Sequence, residues 1–282
     1  MTDIVEDVMT EKVVTCTPTA AILEVQKLMV EHRISRVVVV DAKNKPIGIM
    51  TRKDFVNFLL ADKSGRGLEE IQAEEVMSKD LITVKPAASI YDVAETMIRE
   101  KISSLAVVDE DGELKGIVTK ADLIMYPLVT KPGIYSVQDF MTPNPIAVKP
   151  SHPIFLAVYL MSEHKISRVV VTDKENKPVG IITLADVTMI SNLLKPARGL
   201  MERKPAFVKG FLVLPTSIHP LTAGDFMTAH PICIDKDADL SDAAKLMTRH
   251  NISGVPVLDN SGKLVGIVTK SDLTRAIASI KE

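Results

Sequence analysis

One seven-residue phrase occurs four times in this chain: GIMTRKD at 48–54, GIVTKAD at 116–122, GIITLAD at 180–186 and GIVTKSD at 266–272. Its glycines are spaced by 68, 64 and 86 residues. A second marker is a methionine that follows an acidic and an apolar residue, in Asp7-Val8-Met9, Glu75-Val76-Met77, Asp139-Phe140-Met141 and Asp225-Phe226-Met227. It recurs at the same three intervals. Two markers that drift together mean that the whole stretch between them repeats. Such a chain folds as copies of one small unit. The extra length lies only between the third and fourth copies.

Each copy reads alike. A short strand comes first (VVTCTP, LITVKP, PIAVKP, PICIDK). A helix follows, with apolar residues at helical spacing such as Ile22, Val25, Leu28 and Met29, or Ile90, Val93, Met97 and Ile98. Next are a β-branched run and a turn-forming stretch (DAKNKP, DEDGEL, DKENKP, DNSGKL). A second strand is predicted to begin at the motif glycine, and Thr-x-x-Asp opens a second helix. The unit is β-α-β-β-α, roughly 55 residues long, and the fold class is α/β (α+β). A unit this small buries too little surface to stand alone, so the units should pair. Linker lengths favour pairing 1+2 and 3+4, with the break in the proline- and glycine-bearing stretch PLVTKPGIYS at 127–136. The expected division is unit 1 at 1–60, unit 2 at 61–128, a linker at 129–136, unit 3 at 137–194, an insert at 195–222 and unit 4 at 223–282.

The unit ending in Gly-apolar-apolar-Thr-x-x-Asp resembles the CBS domain, two of which form a pseudo-symmetric Bateman module. Four in one chain resemble the γ subunit of AMP-activated protein kinase and its free-standing archaeal relatives. The resemblance implies two modules in a disc-like arrangement. It also implies adenosine ligands (AMP, ADP, ATP or S-adenosylmethionine) in clefts between paired units. Carried over, the ribose-binding residues are Asp54, Asp122, Asp186 and Asp272, beside Thr51, Thr119, Thr183 and Thr269. The chemistry is sound: a carboxylate accepts from both hydroxyls of a diol, and a helix N-terminus offers free amides to an anion. The phosphate-binding arginine of the family matches Arg36 and Arg168, whereas Ser104 and Gly254 stand there in units 2 and 4. Lys53, Lys120 and Lys270 add charge beside the motif, and unit 3 has Leu184-Ala185 instead. Unequal sites are expected, with two or three occupied. The proline the family usually carries in the strand appears only as Pro256.

Thr-x-x-Asp is also a helix capping box, a role that does not exclude a ligand. His32, His164 and His250 share one position at the end of the first helix, where a polar or cationic residue is favourable, and no metal is expected. No nucleophile elbow, metalloprotease motif, phosphate loop or dinucleotide fingerprint occurs, which argues against an enzyme. A net charge of −2 gives no reason for broad nucleic-acid or membrane binding. No apolar run spans a bilayer and the acidic N-terminus is unlike a secretory signal, so a cytoplasmic protein is expected. Cys16 and Cys233 read as free thiols of a reducing compartment. The insert carries Lys195, Arg198, Arg203, Lys204 and Lys209 with Phe207 and Phe211 among them, which reads either as a solvated linker that packs its FLVLP stretch against the modules or as a patch for RNA, a ribosome or an acidic protein. The sequence thus points first to a non-catalytic energy sensor that acts on a partner, and second to an RNA- or ribosome-associated protein that silences translation. Whether one chain or a homodimer completes the assembly is open at this level.

Overall fold

The computed structural model describes residues 3–124, 132–189, 207–208, 211–212 and 221–280. Unit 1 comprises β1 (Thr15–Cys16), α1 (Ile22–Glu31), β2 (Arg36–Val40), β3 (Pro46–Thr51) and α2 (Arg52–Ala61). Unit 2 comprises α3 (Ala73–Val76), β4 (Thr83–Val84), α4 (Ile90–Arg99), β5 (Ser104–Val108), β6 (Leu114–Thr119) and α5 (Lys120–Ile124). Unit 3 has α6 (Val137–Phe140), β7 (Thr142–Pro143), β8 (Ala147–Val148), α7 (Ile154–Glu163), β9 (Arg168–Thr172), β10 (Pro178–Thr183) and α8 (Leu184–Met189). A short antiparallel pair, β11 (Phe207–Val208) and β12 (Phe211–Leu212), lies in the insert. Unit 4 has α9 (Ala223–Phe226), β13 (Thr228–Ala229), β14 (Ile234–Asp235), α10 (Leu240–Arg249), β15 (Gly254–Leu258), β16 (Leu264–Thr269) and α11 (Lys270–Ser279). The five basic residues of the insert lie outside the described residues.

Two local readings shift. The first strand of each unit is only two residues long, a brief parallel pairing such as Thr15 with Val38 and Cys16 with Val39. The second hairpin strand begins two residues before the motif glycine, at Pro46, Leu114, Pro178 and Leu264. The hairpin turns explain this. Asp41 Oδ1 accepts from the amides of Lys43 and Lys45, and Asp109, Asp173 and Asp259 repeat the arrangement. The side chain closes a tight turn, so pairing resumes early, past a bulge. The turn needs one left-handed residue, supplied by Asn44 (φ 56°), Gly112 (φ 80°), Asn176 (φ 65°) and Gly262 (φ 75°). The asparagines of units 1 and 3 have a second role. Nδ2 of Asn44 donates to the Leu114 carbonyl (3.3 Å) and Nδ2 of Asn176 to the Leu264 carbonyl (3.0 Å), each in the next unit.

Units 1 and 2 exchange their opening segments, and so do units 3 and 4. Thr10 of unit 1 bridges to Ile117 of unit 2, and Ser78 of unit 2 to Ile49 of unit 1. In the second half β7 extends the sheet of unit 4 through β16, while β13 extends the sheet of unit 3 through β10. The exchange explains the paired markers. Each opening methionine lies on the motif glycine of the other unit: Met77 on Gly48, Met9 on Gly116, Met227 on Gly180 and Met141 on Gly266. A Cβ at Gly116 would stand 2.7 Å from the Met9 sulfur and 3.1 Å from the Thr10 carbonyl oxygen. At Gly180 it would meet the Met227 Cβ at 2.9 Å as well as the sulfur. Gly180→Ala is therefore expected to destabilise the protein by about 1–3 kcal/mol, as overpacking does. Met227→Ala in the same chain should recover part of that loss in a denaturant melt.

The two sheets within each half pack face to face. Val38, Ala106, Leu114 and Ile117 form one such layer, and Val170, Leu264 and Ile267 the other. The halves meet through the helices that follow the motifs. α11 of unit 4 packs against α4 and α5 of unit 2, and α2 of unit 1 against α8 of unit 3. One buried cluster joins Ile90, Val93 and Met97 of unit 2 with Leu273, Ala276 and Ile277 of unit 4. A smaller one seats Val56 of unit 1 in the core of unit 3, and Gln26 donates to the Thr188 carbonyl across the same junction (2.9 Å). The units close a ring in the order 1-2-4-3 within one chain.

Candidate functional site

All four Thr-x-x-Asp motifs sit at the N-terminus of the helix that lines the ring. In each, the threonine amide and hydroxyl both donate to Oδ2 of the aspartate. The lengths are 2.9 and 2.6 Å at Thr51–Asp54, and 2.7 and 2.7 Å at Thr119–Asp122. They are 2.7 and 2.8 Å at Thr183–Asp186, and 2.7 and 2.6 Å at Thr269–Asp272. The capping role is thus present in every copy and occupies one carboxylate oxygen. Among the described residues, Oδ1 of Asp54, Asp122 and Asp186 accepts no hydrogen bond. Each of these carboxylates is half-buried. Asp272 differs: it is 2% exposed, and its Oδ1 is 2.8 Å from Arg275 Nη2.

The arginines do not serve their own units. Arg36, at the start of β2, donates Nη1 to the Ser103 carbonyl at 2.7 Å, and its carboxylate neighbour is Asp122 rather than Asp54. Arg168, at the start of β9, donates Nη2 to Ser253 Oγ at 2.8 Å, and its carboxylate neighbour is Asp272 rather than Asp186. Its guanidinium fills the place a Cβ on Gly254 would take. The alternation in the sequence follows from the pseudo-twofold axis of each half. Equivalent side chains meet across that axis, and two arginines there would collide and repel. An arginine from one unit with Ser104 or Gly254 from the other resolves both problems.

Units 2 and 4 thereby gather charge. Lys120 Nζ donates to Ser271 Oγ across the two halves at 3.0 Å. Lys270 lies within electrostatic reach of Asp122, Arg168 and Arg36, and Lys120 within reach of Arg36, Asp272 and Arg275. Five cationic side chains surround two carboxylates. Burial pushes Arg36 and Arg168 down to about 10, against the partial compensation of Asp122 and Asp272. Burial also lowers Lys120 and Lys270, and mutual repulsion with Arg36 adds to it. The cluster is an unneutralised, partly desolvated cationic site of the kind that favours a polyanion.

Burial raises the Asp122 carboxyl despite its hydrogen bonds from Thr119 and the nearby Arg36 and Lys270. A carboxyl with a raised folded value costs stability once ionised. That cost is absent below its unfolded pKa, about 3.9, grows as pH rises from there toward the folded value and is full above it. Asp122→Asn is therefore expected to raise the melting temperature of the ligand-free protein at pH 7. The gain should vanish toward pH 4 in thermal melts at matched ionic strength.

At the junction of units 1 and 3, the cation facing Asp186 is Arg52, lowered by burial and raised by that carboxylate. Arg52 follows Thr51 just as Lys120 follows Thr119 and Lys270 follows Thr269. A strict alignment on the threonine would have selected it. Lys53, singled out in the sequence, is one position on and exposed. Leu184, at the equivalent place in unit 3, is buried, so the charge for Asp186 comes from the opposite half. Arg275, five residues past the lysine of its motif, carries no repeat signal because no other copy has a basic residue there.

His32, His164 and His250 are exposed C-caps of α1, α7 and α10. Among the described residues no group of three or more metal-binding side chains occurs. A cavity of about 430 Å³ lies in unit 4, beside Cys233, Asp235, Asp242, Lys245 and Leu258. It is at the hairpin end of the β15–β16 pair, opposite the Gly254–Thr269 end that carries the motif. Burial pushes the Cys233 thiol up to about 11, which leaves it protonated and unreactive. Cys16 is likewise free and raised to about 11. Among the described residues, no helix is long and apolar enough to cross a membrane.

Four β-α-β-β-α units in two exchanged pairs, each with a capped carboxylate at a helix N-terminus, define a tandem-repeat protein of the paired, pseudo-symmetric kind. The CBS domain matches residues 5–61, 73–128, 137–191 and 223–279, and the chain belongs to the CBS-domain family. It is 27% identical over 281 residues to protein MJ1404 of Methanocaldococcus jannaschii, spanning 99% of this chain and 62% of that protein. The chain thus spans about three fifths of that relative, and likewise 60% of protein MK0525 of Methanopyrus kandleri. Protein MJ1225 of M. jannaschii, a proposed archaeal homolog of g-AMPK, superposes with a TM-score of 0.80 at 24% identity. That match covers 98% of this chain and all of the other. The chloroplast protein CBSX2 of Arabidopsis thaliana is 32% identical over 54% of this chain and 67% of its own length. CBSX2 has been seen in complex with AMP, in a structure that covers 52% of this chain and 99% of its own at a TM-score of 0.41.

Proposed function

We propose that this protein is a non-catalytic sensor of adenine nucleotides: AMP, ADP or ATP bound between paired units, with occupancy signalled to a protein partner. The observation that carries the reading is the Asp122 site. There a helix N-terminus and a carboxylate with one open oxygen face half-buried cations from two other units, Arg36 of unit 1 and Lys270 of unit 4. A ribose diol suits the carboxylate and a phosphate suits the cations, and one nucleotide spans both. A ligand held by groups from both halves favours one packing of the halves over another, which is all that signalling requires. The RNA- or ribosome-associated reading rests on the basic insert alone.

The test is a calorimetric titration of nucleotide-stripped protein with AMP, ADP, ATP and S-adenosylmethionine at two salt concentrations. Saturable binding of an adenine nucleotide that weakens as salt rises supports the proposal. No heat with any nucleotide would overturn it.

A further inference from the structure

Of the four motif carboxylates, one is already held by the chain itself. Both oxygens of Asp272 are engaged: Oδ2 by the amide and hydroxyl of Thr269, and Oδ1 by Arg275. The same Nη2 of Arg275 donates to the Phe140 carbonyl at 2.7 Å. Phe140 ends α6, the helix whose next residue, Met141, lies on Gly266. Arg275 therefore pins the opening segment of unit 3 to the motif helix of unit 4, with the Asp272 carboxylate as its anchor. The matching positions in the other copies are Asn57, Met125 and Met189, none of which can ion-pair with a carboxylate.

We infer that Arg275 takes the place of a ribose at the fourth motif, so that unit 4 offers no nucleotide site of its own and Asp272 serves as a structural counter-ion. This rests on the nucleotide reading above. A diol needs an accessible carboxylate oxygen, and Asp272 offers none: Oδ2 accepts twice from Thr269, Oδ1 is paired with Arg275, and the residue has almost no exposed surface. Its negative charge instead offsets Arg168, Arg275 and Lys120, which would otherwise face one another uncompensated in a half-buried centre. The side chain of Arg275 is 46% exposed, so its removal frees Oδ1 without opening the core. Arg275 is thus a specificity-determining residue: it decides which of the four motifs can take a nucleoside.

The experiment counts AMP molecules per chain by equilibrium dialysis and native mass spectrometry in the full chain. In the wild type, Asp272→Asn should leave the count unchanged, whereas Asp122→Asn and Asp186→Asn should each lower it by one. Arg275→Met should add one AMP, and the Arg275→Met/Asp272→Asn double variant should lose that added site. If Asp272→Asn removes a site from the wild type, the inference is wrong. A folded Arg275→Met protein with no added site would be equally decisive against it. Should Arg275→Met not fold, the unchanged count in Asp272→Asn still carries the test. Absence of AMP binding in the wild type, by contrast, overturns the nucleotide reading itself and this inference with it.

Discussion

Ile277→Ala is expected to lower folding stability by about 2–5 kcal/mol, the cost of an unfilled core cavity. Ile277 is fully buried in α11, in the cluster that joins the cores of units 2 and 4. The loss should appear in urea melts as a lower midpoint of one transition, because the two halves share this core and unfold together. Val56, which links units 1 and 3, makes a smaller insertion, so Val56→Ala should cost less. The difference reflects two unlike junctions in the ring. A loss below about 1 kcal/mol for Ile277→Ala, or two separate transitions, would mean that the halves are independent bodies.

Asp122→Asn is expected to weaken nucleotide binding by about ten- to a hundredfold, since a hydrogen bond to a charged group contributes about 1.5–3 kcal/mol. The same change is expected to stabilise the empty protein, because it removes a carboxylate whose ionisation burial opposes. Opposite signs on binding and on stability distinguish a ligand site from a structural cap. Arg36→Met should also weaken binding and reduce its salt dependence. Because Arg36 and Asp122 address the same molecule, the double variant should lose less than the sum of the singles. Calorimetry at constant ionic strength measures all four proteins. Unchanged affinity in Asp122→Asn would remove the ribose assignment at that motif.

What the sequence determined by itself is everything set within one unit. The repeat, the β-α-β-β-α order, the capped motif helix and the Asp-x-x-Asn or Asp-x-x-Gly turns depend on contacts a few residues apart. Periodicity, Thr-x-x-Asp and turn residues report those directly. The four aspartates and the two arginines were legible for the same reason, as deviations from or agreements with a repeat. Which residues share a site was not legible, because that is decided by symmetry axes that bring distant copies together. Arg36 serves Asp122, Arg168 serves Asp272 and Arg52 serves Asp186, each in another unit. Gly48 and its three counterparts are glycines because a methionine from the other unit of the pair lies on them. Arg275 breaks the repeat, and only the packing of α11 against α6 reveals its pairing with Asp272 and the Phe140 carbonyl. A repeat encodes its unit four times over, but it encodes each junction only once, in the few positions where the copies differ. Those differences acquire meaning only when the tertiary structure sets the copies face to face.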